Sequence, residues 1–207
     1  MHSKMFLVII ITLWFIGFAE CQSPPAIFLK KFYVPGLDIG SNESQGINTT
    51  TISVELSFWR LNNKGREQPK SVYYDSINLA VYYYSDSSDL PIGNISIPEF
   101  HHSSGLAAHR SGTVMTLGVP WEKARTEVSS GKTIMFRIEL DTKTRYSNGI
   151  LKSKRHDLRL GTNVTVNDRG SMSFNHDLRL SSAPVQVGGL ISLGIVALSV
   201  LVLHILL

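Results

Sequence analysis

The chain reads as an all-β protein: an antiparallel β-sandwich of seven to eight short strands, with a removable apolar segment at each end. Three observations carry that reading. Apolar and polar residues alternate at period two through the middle of the chain. Clusters of Asn, Ser and Gly punctuate the alternation. Residues 5–18 and 188–207 contain no Asp, Glu, Lys or Arg and stand apart from the polar chain between them.

The N-terminal segment has the three parts of a secretory signal. Lys4 supplies a positive start, residues 5–18 form the apolar run, and small residues follow. Ala19 and Cys21 fit the −3 and −1 positions, which makes residues 1–21 the signal and Gln22 the new N-terminus; a cut after Ala19 is the other option. Residues 5–19 would span only about 22 Å as a helix, short of a hydrocarbon core of about 30 Å. An uncleaved signal anchor is the alternative.

The strands follow in order. A first is expected over 27–34. In 51–59, Ile52, Val54, Leu56 and Phe58 alternate with Thr51, Ser53, Glu55 and Ser57, the signature of a strand packed on one face. Residues 72–84 form a tyrosine-rich strand, whose aromatics read as cross-strand packing partners rather than a carbohydrate-stacking platform. Strands over 93–98 and 112–119 come next, then one or two helical turns near 120–128 with Trp121 and Val128 covering one end. Residues 132–146 repeat the alternation through Ile134, Phe136, Ile138 and Leu140. Strands over 151–160 and 163–166 complete the set, and 168–180 is a final strand or a stalk. Turns are expected at 62–65, 85–91, 103–105, 129–131 and 147–149. This pattern matches an immunoglobulin-like or fibronectin-III-like sandwich in outline.

The C-terminal segment has the order of a glycosylphosphatidylinositol-attachment signal: small residues Ser181, Ser182 and Ala183, a spacer over 184–189, and an apolar tail from Leu190. Residues 181–207 are therefore expected to be exchanged for lipid at Ser181 or Ser182. The competing reading is a transmembrane helix, which would normally be followed by cytoplasmic Lys or Arg. The spacer is about six residues against the usual ~8–12.

Of 207 residues, 22–180 remain as one domain, large enough for its own core. With a single cysteine, Cys21, no disulfide scaffold is available. Four sequons, at Asn42, Asn48, Asn94 and Asn163, mark candidate glycosylation sites. The net charge is +4, and basic residues cluster at Lys143, Arg145, Lys152, Lys154, Arg155 and Arg159. Outside the cell such a cluster suits an acidic wall polysaccharide or the acidic face of another protein, not nucleic acid. Lys152, Lys154 and Arg155 are the candidate polyanion contact; a solvated strand edge is the competing account.

No phosphate-binding Gly-rich loop, no Gly-x-Ser-x-Gly elbow and no thiol nucleophile outside the signal are present. Glu55, Glu99, Glu122 and Glu139 are available carboxylates that nothing in the sequence pairs across a cleft. His156-Asp157-Leu158-Arg159-Leu160 recurs as His176-Asp177-Leu178-Arg179-Leu180. Paired in register, the copies could share a cation; the simpler account is a repeated strand with inward leucines and solvated arginines. The chain is read as non-enzymatic, with no cofactor and no metal.

Four segments resemble a known family. Phe32-Tyr33-Val34-Pro35-Gly36-Leu37 looks like its opening strand. Thr50, Ile52, Val54 and Leu56 lead to Leu61-Asn62-Asn63-Lys64, where members usually carry Asn-Pro-Asn-Lys. Tyr73-Tyr74-Asp75 is similar to its strongest local feature, and Gly93-Asn94-Ile95-Ser96-Ile97-Pro98-Glu99-Phe100-His101 resembles a stretch that commonly ends Pro-x-Phe-Tyr-Gln. The family is that of the plant non-race-specific disease resistance and harpin-induced-like proteins, which carry a late embryogenesis abundant group 2 domain. The resemblance covers roughly 27–180. This chain departs from it in lacking the Asn-Pro-Asn proline, in carrying His101-His102-Ser103, and in starting almost at its apolar block.

The resemblance implies a sandwich on the outer face of the plasma membrane, without catalytic residues, acting in pathogen-response signalling and membrane–wall contact. Expected partners are the plasma membrane, other membrane or defence proteins and acidic wall polysaccharide. The alternative is a structural or abiotic-stress-protective role without signalling.

Overall fold

The computed structural model describes residues 25–40, 51–59, 70–85, 88–103, 105, 107–147, 149–150 and 152–182. The segment 1–21, the sequons at Asn42 and Asn48, the turn at 62–65 and the tail from 183 lie outside the described residues. Among the described residues the chain forms β1 (Ala26–Asp38), β2 (Thr51–Trp59), β3 (Ser71–Tyr74), β4 (Ile77–Ser85), β5 (Ser88–Ile97), β6 (Phe100–Ser103), β7 (Ala108–Met115), α1 (Trp121–Ser129), β8 (Ile134–Ser147), β9 (His156–Val166), β10 (Arg169–Ser171) and β11 (Leu178–Arg179).

All strand pairs are antiparallel, in two sheets. The first runs β7–β2–β1, with β10 and β11 sharing the remaining edge of β1. The second runs β5–β4–β8–β9, with β6 and β3 prolonging the lines of β5 and β4. Counted as lines, the eleven strands make eight, four in each sheet, which is the sandwich the alternation predicts.

The sheets meet through their apolar faces. Phe32 from β1 lies 5.3 Å from Phe136 of β8, and Phe58 from β2 lies 5.1 Å from Tyr74 and 5.0 Å from Phe100. All of these rings except the partly buried Phe100 are essentially shielded from solvent. Along the open side β5 and β7 approach closely: a Cβ on Gly93 would run into Val114, and one on Gly112 into Ile95. At one end α1 turns Ala124 and Val128 into the core, and Arg125 Nε donates a 2.6 Å hydrogen bond to the Gly36 carbonyl.

Several boundaries differ from the sequence expectation, each for a local reason. The strand expected over 72–84 breaks at Asp75–Ser76, between β3 and β4. Across from it Pro98 and Glu99 separate β5 from β6, and proline has no N–H for the ladder. Thr142 fills the gap, its hydroxyl donating to the Asp75 carbonyl at 3.0 Å, while Ser76 donates to the Ile97 carbonyl at 3.3 Å.

The strand expected at 151–160 starts only at His156 and runs on through Gly161 to Val166, absorbing the separate strand expected at 163–166. Gly161 keeps its ladder on both sides, pairing Glu139 and Ser181. The turn expected over 85–91 is mostly strand, since β4 and β5 pair out to Ser85 and Ser88. Residues 168–180 are part of the domain rather than a stalk: β10 and β11 both pair with β1 and close one side of the sandwich against β9.

Candidate functional site

The outward face of the second sheet gathers most of the residues singled out from sequence. Near the start of β3, register places His101, Tyr73 and Arg145 side by side on β6, β3 and β8. Tyr73 stacks on His101 with centroids 5.1 Å apart, and Lys152 Nζ sits 4.4 Å from the Tyr73 ring centre. Tyr74 and Tyr83, on the opposite side of the same chain segment, are core residues. The tyrosine run thus packs inward at two positions and builds a cationic aromatic cluster at a third.

Asp75 organises the charges beside this cluster. Arg155 Nε donates to its Oδ2 at 2.9 Å, and Arg145 Nη2 lies 3.6 Å from its Oδ1. Two more cations of the basic cluster have acidic neighbours, Lys143 with Asp157 at 3.7 Å and Arg159 with Asp141 at 3.2 Å. Exposed pairs of this kind contribute only about 0–1 kcal/mol to stability, but they neutralise the patch. Of the six basic residues, Lys152 and Lys154 have no acidic partner recorded among the described residues. Both are exposed, so the polyanion contact read as Lys152, Lys154 and Arg155 reduces to two lysines plus a guanidinium already held by Asp75. Sequence could not show this, because Asp75 comes from the junction of β3 and β4, far from the cluster in the chain.

Farther along the face, Asn94 on β5 and Asn163 on β9 are exposed and point outward, with Ser96 and Thr165 two residues on. They stand on adjacent cross-strand rows, at Ala80–Glu139 and Tyr82–Arg137, on opposite edges of the sheet. Glycans at both would flank the half of this face that lies away from Lys152. In the same region Arg137 pairs with Glu139 at 2.7 Å. Burial pushes the Tyr82 phenol above its ordinary pKa, and the Glu139 carboxylate that accepts its hydrogen bond adds to the rise.

Ser181 and Ser182 are exposed at the close of the described chain. Ser181 exchanges two backbone hydrogen bonds with Gly161, of 2.8 and 3.1 Å, so the fold holds the chain up to the candidate lipid-attachment residues.

The two His-Asp-Leu-Arg-Leu copies do not pair with each other: the first opens β9 and pairs with β8, and the second reaches β1. Their aspartates take separate partners, Lys143 and, at 3.1 Å, Lys30. Leu158, Leu160 and Leu180 are buried. Among the described residues no three His, Cys, Asp or Glu side chains are grouped closely enough to hold an ion. Glu55 and Glu139 face outward from different sheets, where Glu55 meets His109 at 3.4 Å.

What the geometry defines is an all-β sandwich whose outward surfaces carry two exposed sequon asparagines and a small basic aromatic cluster. Its two motif segments similar to the harpin-induced-like proteins, Tyr73-Tyr74-Asp75 and Pro98-Glu99-Phe100-His101, lie opposite each other at the break in the second sheet. No family model matches the chain. It is 26% identical over 165 residues to Protein NDR1 of Arabidopsis thaliana, covering 77% of this chain and 70% of that protein. This likeness agrees with the resemblance carried by the motif segments. No helix among the described residues is long and apolar enough to cross a membrane.

Proposed function

We propose that this chain is a non-enzymatic glycoprotein tethered to the extracellular face of the plant plasma membrane, acting in defence signalling and in contact between membrane and wall. The likeness to Protein NDR1 over most of the chain carries the reading. Exposed sequons at Asn94 and Asn163, an entry signal at residues 1–21 and attachment-type residues at Ser181 and Ser182 support it. Phosphatidylinositol-specific phospholipase C should release the mature protein from intact cells. Protein that stays with the membrane after this treatment would sink the glycolipid anchor in favour of a spanning helix.

Contact with acidic wall polysaccharide falls to the Tyr73 cluster. Lys152 and Lys154 offer charges not already neutralised, while Arg155 is occupied by Asp75. Binding to polygalacturonate should weaken with salt. It should drop about tenfold, roughly 1.4 kcal/mol, in the double variant Lys152→Gln, Lys154→Gln. Arg155→Gln alone should change it much less. An equal loss in both variants would show that the ion pair with Asp75 does not restrain Arg155.

A further inference from the structure

We propose that the tip of the β8–β9 hairpin seats the sandwich on the bilayer, with Ile150 entering the headgroup layer beside Lys70. The inference rests on the membrane-tethered reading and adds how the domain stands on its membrane.

Chain exits define which end faces the bilayer. Ala26 pairs with Trp59 at the start of β1, and the Leu180 N–H donates to the Ile27 carbonyl at 2.8 Å. The described chain therefore begins and ends at the Trp59 end of the first sheet. Gly161 bridges Ser181 at this exit, and Val166 bridges Met172 beside Tyr33 farther along β1, so β9 followed back from Gly161 to His156 runs past the exit toward the end of the second sheet where β3 starts, β6 ends and β8 runs out at Ser147.

The β8–β9 hairpin extends beyond that point. Ser147 bridges Lys152, and the Ser153 N–H donates to the Tyr146 carbonyl at 2.8 Å. At the tip Gly149 has a φ of 103°, and Ile150 is 96% exposed, more than any other large apolar residue described. Lys70 Nζ lies 3.7 Å from the position a Cβ on Gly149 would take, and Trp59, 46% exposed, belongs to the same end. An aliphatic side chain at a projecting tip, with a lysine beside it, suits a membrane interface, where apolar atoms sink and amines stay among phosphates.

Reach makes the contact hard to avoid. Ser181 is held level with Gly161, and from there to Lys152 β9 and its lead-in cover about 30 Å at ~3.3 Å per residue. If the chain continues to an apolar run at Leu190, residues 183–189 span at most about 25 Å. Lipid attachment at Ser181 or Ser182 removes that spacer altogether. A domain leashed so closely, with its hairpin directed along the leash, brings Ile150 to the surface.

The test uses the full chain isolated from secretory-pathway expression, in a Cys21→Ser background. A small thiol-reactive fluorophore is placed at Ile150→Cys or, for comparison, at Leu117→Cys, which is 78% exposed and lies near α1 at the other end. The protein is bound to phosphatidylcholine vesicles containing some phosphatidylglycerol and a headgroup spin-labelled lipid. Quenching several-fold stronger at position 150 than at 117 is the expected result. Equal quenching, or stronger quenching at 117, overturns the docking while leaving the tether intact. Protein that does not float with the vesicles overturns the tether and the docking together.

Discussion

Phe58→Ala is expected to destabilise the domain by about 3–5 kcal/mol, the range for deleting a fully buried phenylalanine. The side chain has no solvent exposure and touches two rings of the other sheet, Tyr74 at 5.1 Å edge-on and Phe100 at 5.0 Å. Those rings stack on each other at 4.8 Å across β3 and β6, beside the break where Pro98 and Asp75 interrupt the ladder. The two sheets meet there through these three rings. Removing Phe58 leaves a cavity and also forfeits edge-to-face contacts worth about 0.5–1.5 kcal/mol each. In urea, with a slope of about 1–3 kcal/mol/M, the midpoint should fall by at least ~1 M. A fall of a few tenths molar would mean that the aromatic cluster closes over the vacancy. Phe58→Leu, which keeps most of the volume, should lose well under half as much.

The same region shows what the sequence could and could not disclose. Alternation through Ile52, Val54, Leu56 and Phe58 was legible because each strand has one dry face and one wet face, and period two is the direct imprint of that condition. The break at Asp75–Ser76 was not legible within its own strand, where Tyr74 and Ile77 are both core residues. Its cause lies across the sheet at Pro98, and register between distant strands is not written locally. Gly161 misled in the opposite direction. It separates two apolar stretches as a turn would, yet it stays in the ladder, pairing Glu139 and Ser181, where a Cβ would come within 3.0 Å of the Ile138 carbonyl.

Charge reading met a similar limit. Six basic residues close in sequence suggest a patch, but four of them are neutralised: Asp141 and Asp157 do so through β8–β9 pairing, and Asp75 from a distant part of the chain. The strength of the candidate polyanion site therefore rests on Lys152 and Lys154, and the aromatic support for Lys152 comes from Tyr73, far earlier in the chain. Ile150 drew no attention in sequence, where it is one apolar residue beside an Asn-Gly turn. Only its place at the tip of a long hairpin gives it a role.

Gly170→Ala should cost about 3 kcal/mol, and comparison with Gly131→Ala separates the two causes. Both glycines have positive φ, 66° and 82°, a conformation that costs an L-residue roughly 1–2 kcal/mol. Around Gly131 there is no atom within 4 Å of a new Cβ, so the backbone cost is all that Gly131→Ala should show. At Gly170 the methyl would also strike the Val34 carbonyl of β1 and come within 3.2 Å of the Asp38 nitrogen. Neither can yield freely. Asn167 Oδ1 accepts from the N–H groups of Arg169 and Ser171 at 3.0 and 3.2 Å, and Ser171 and Arg169 pair with Tyr33 and Asp38. The clash must therefore displace β10 from β1, and with it the strand that joins the edges of the two sheets. Hydrogen exchange should quicken first at Ser171 and along the β10–β1 edge, and the urea midpoint should fall further than in Gly131→Ala. Equal shifts in the two variants would mean that β10 moves off β1 without cost, and that the closed side of the sandwich owes nothing to the absence of a side chain at position 170.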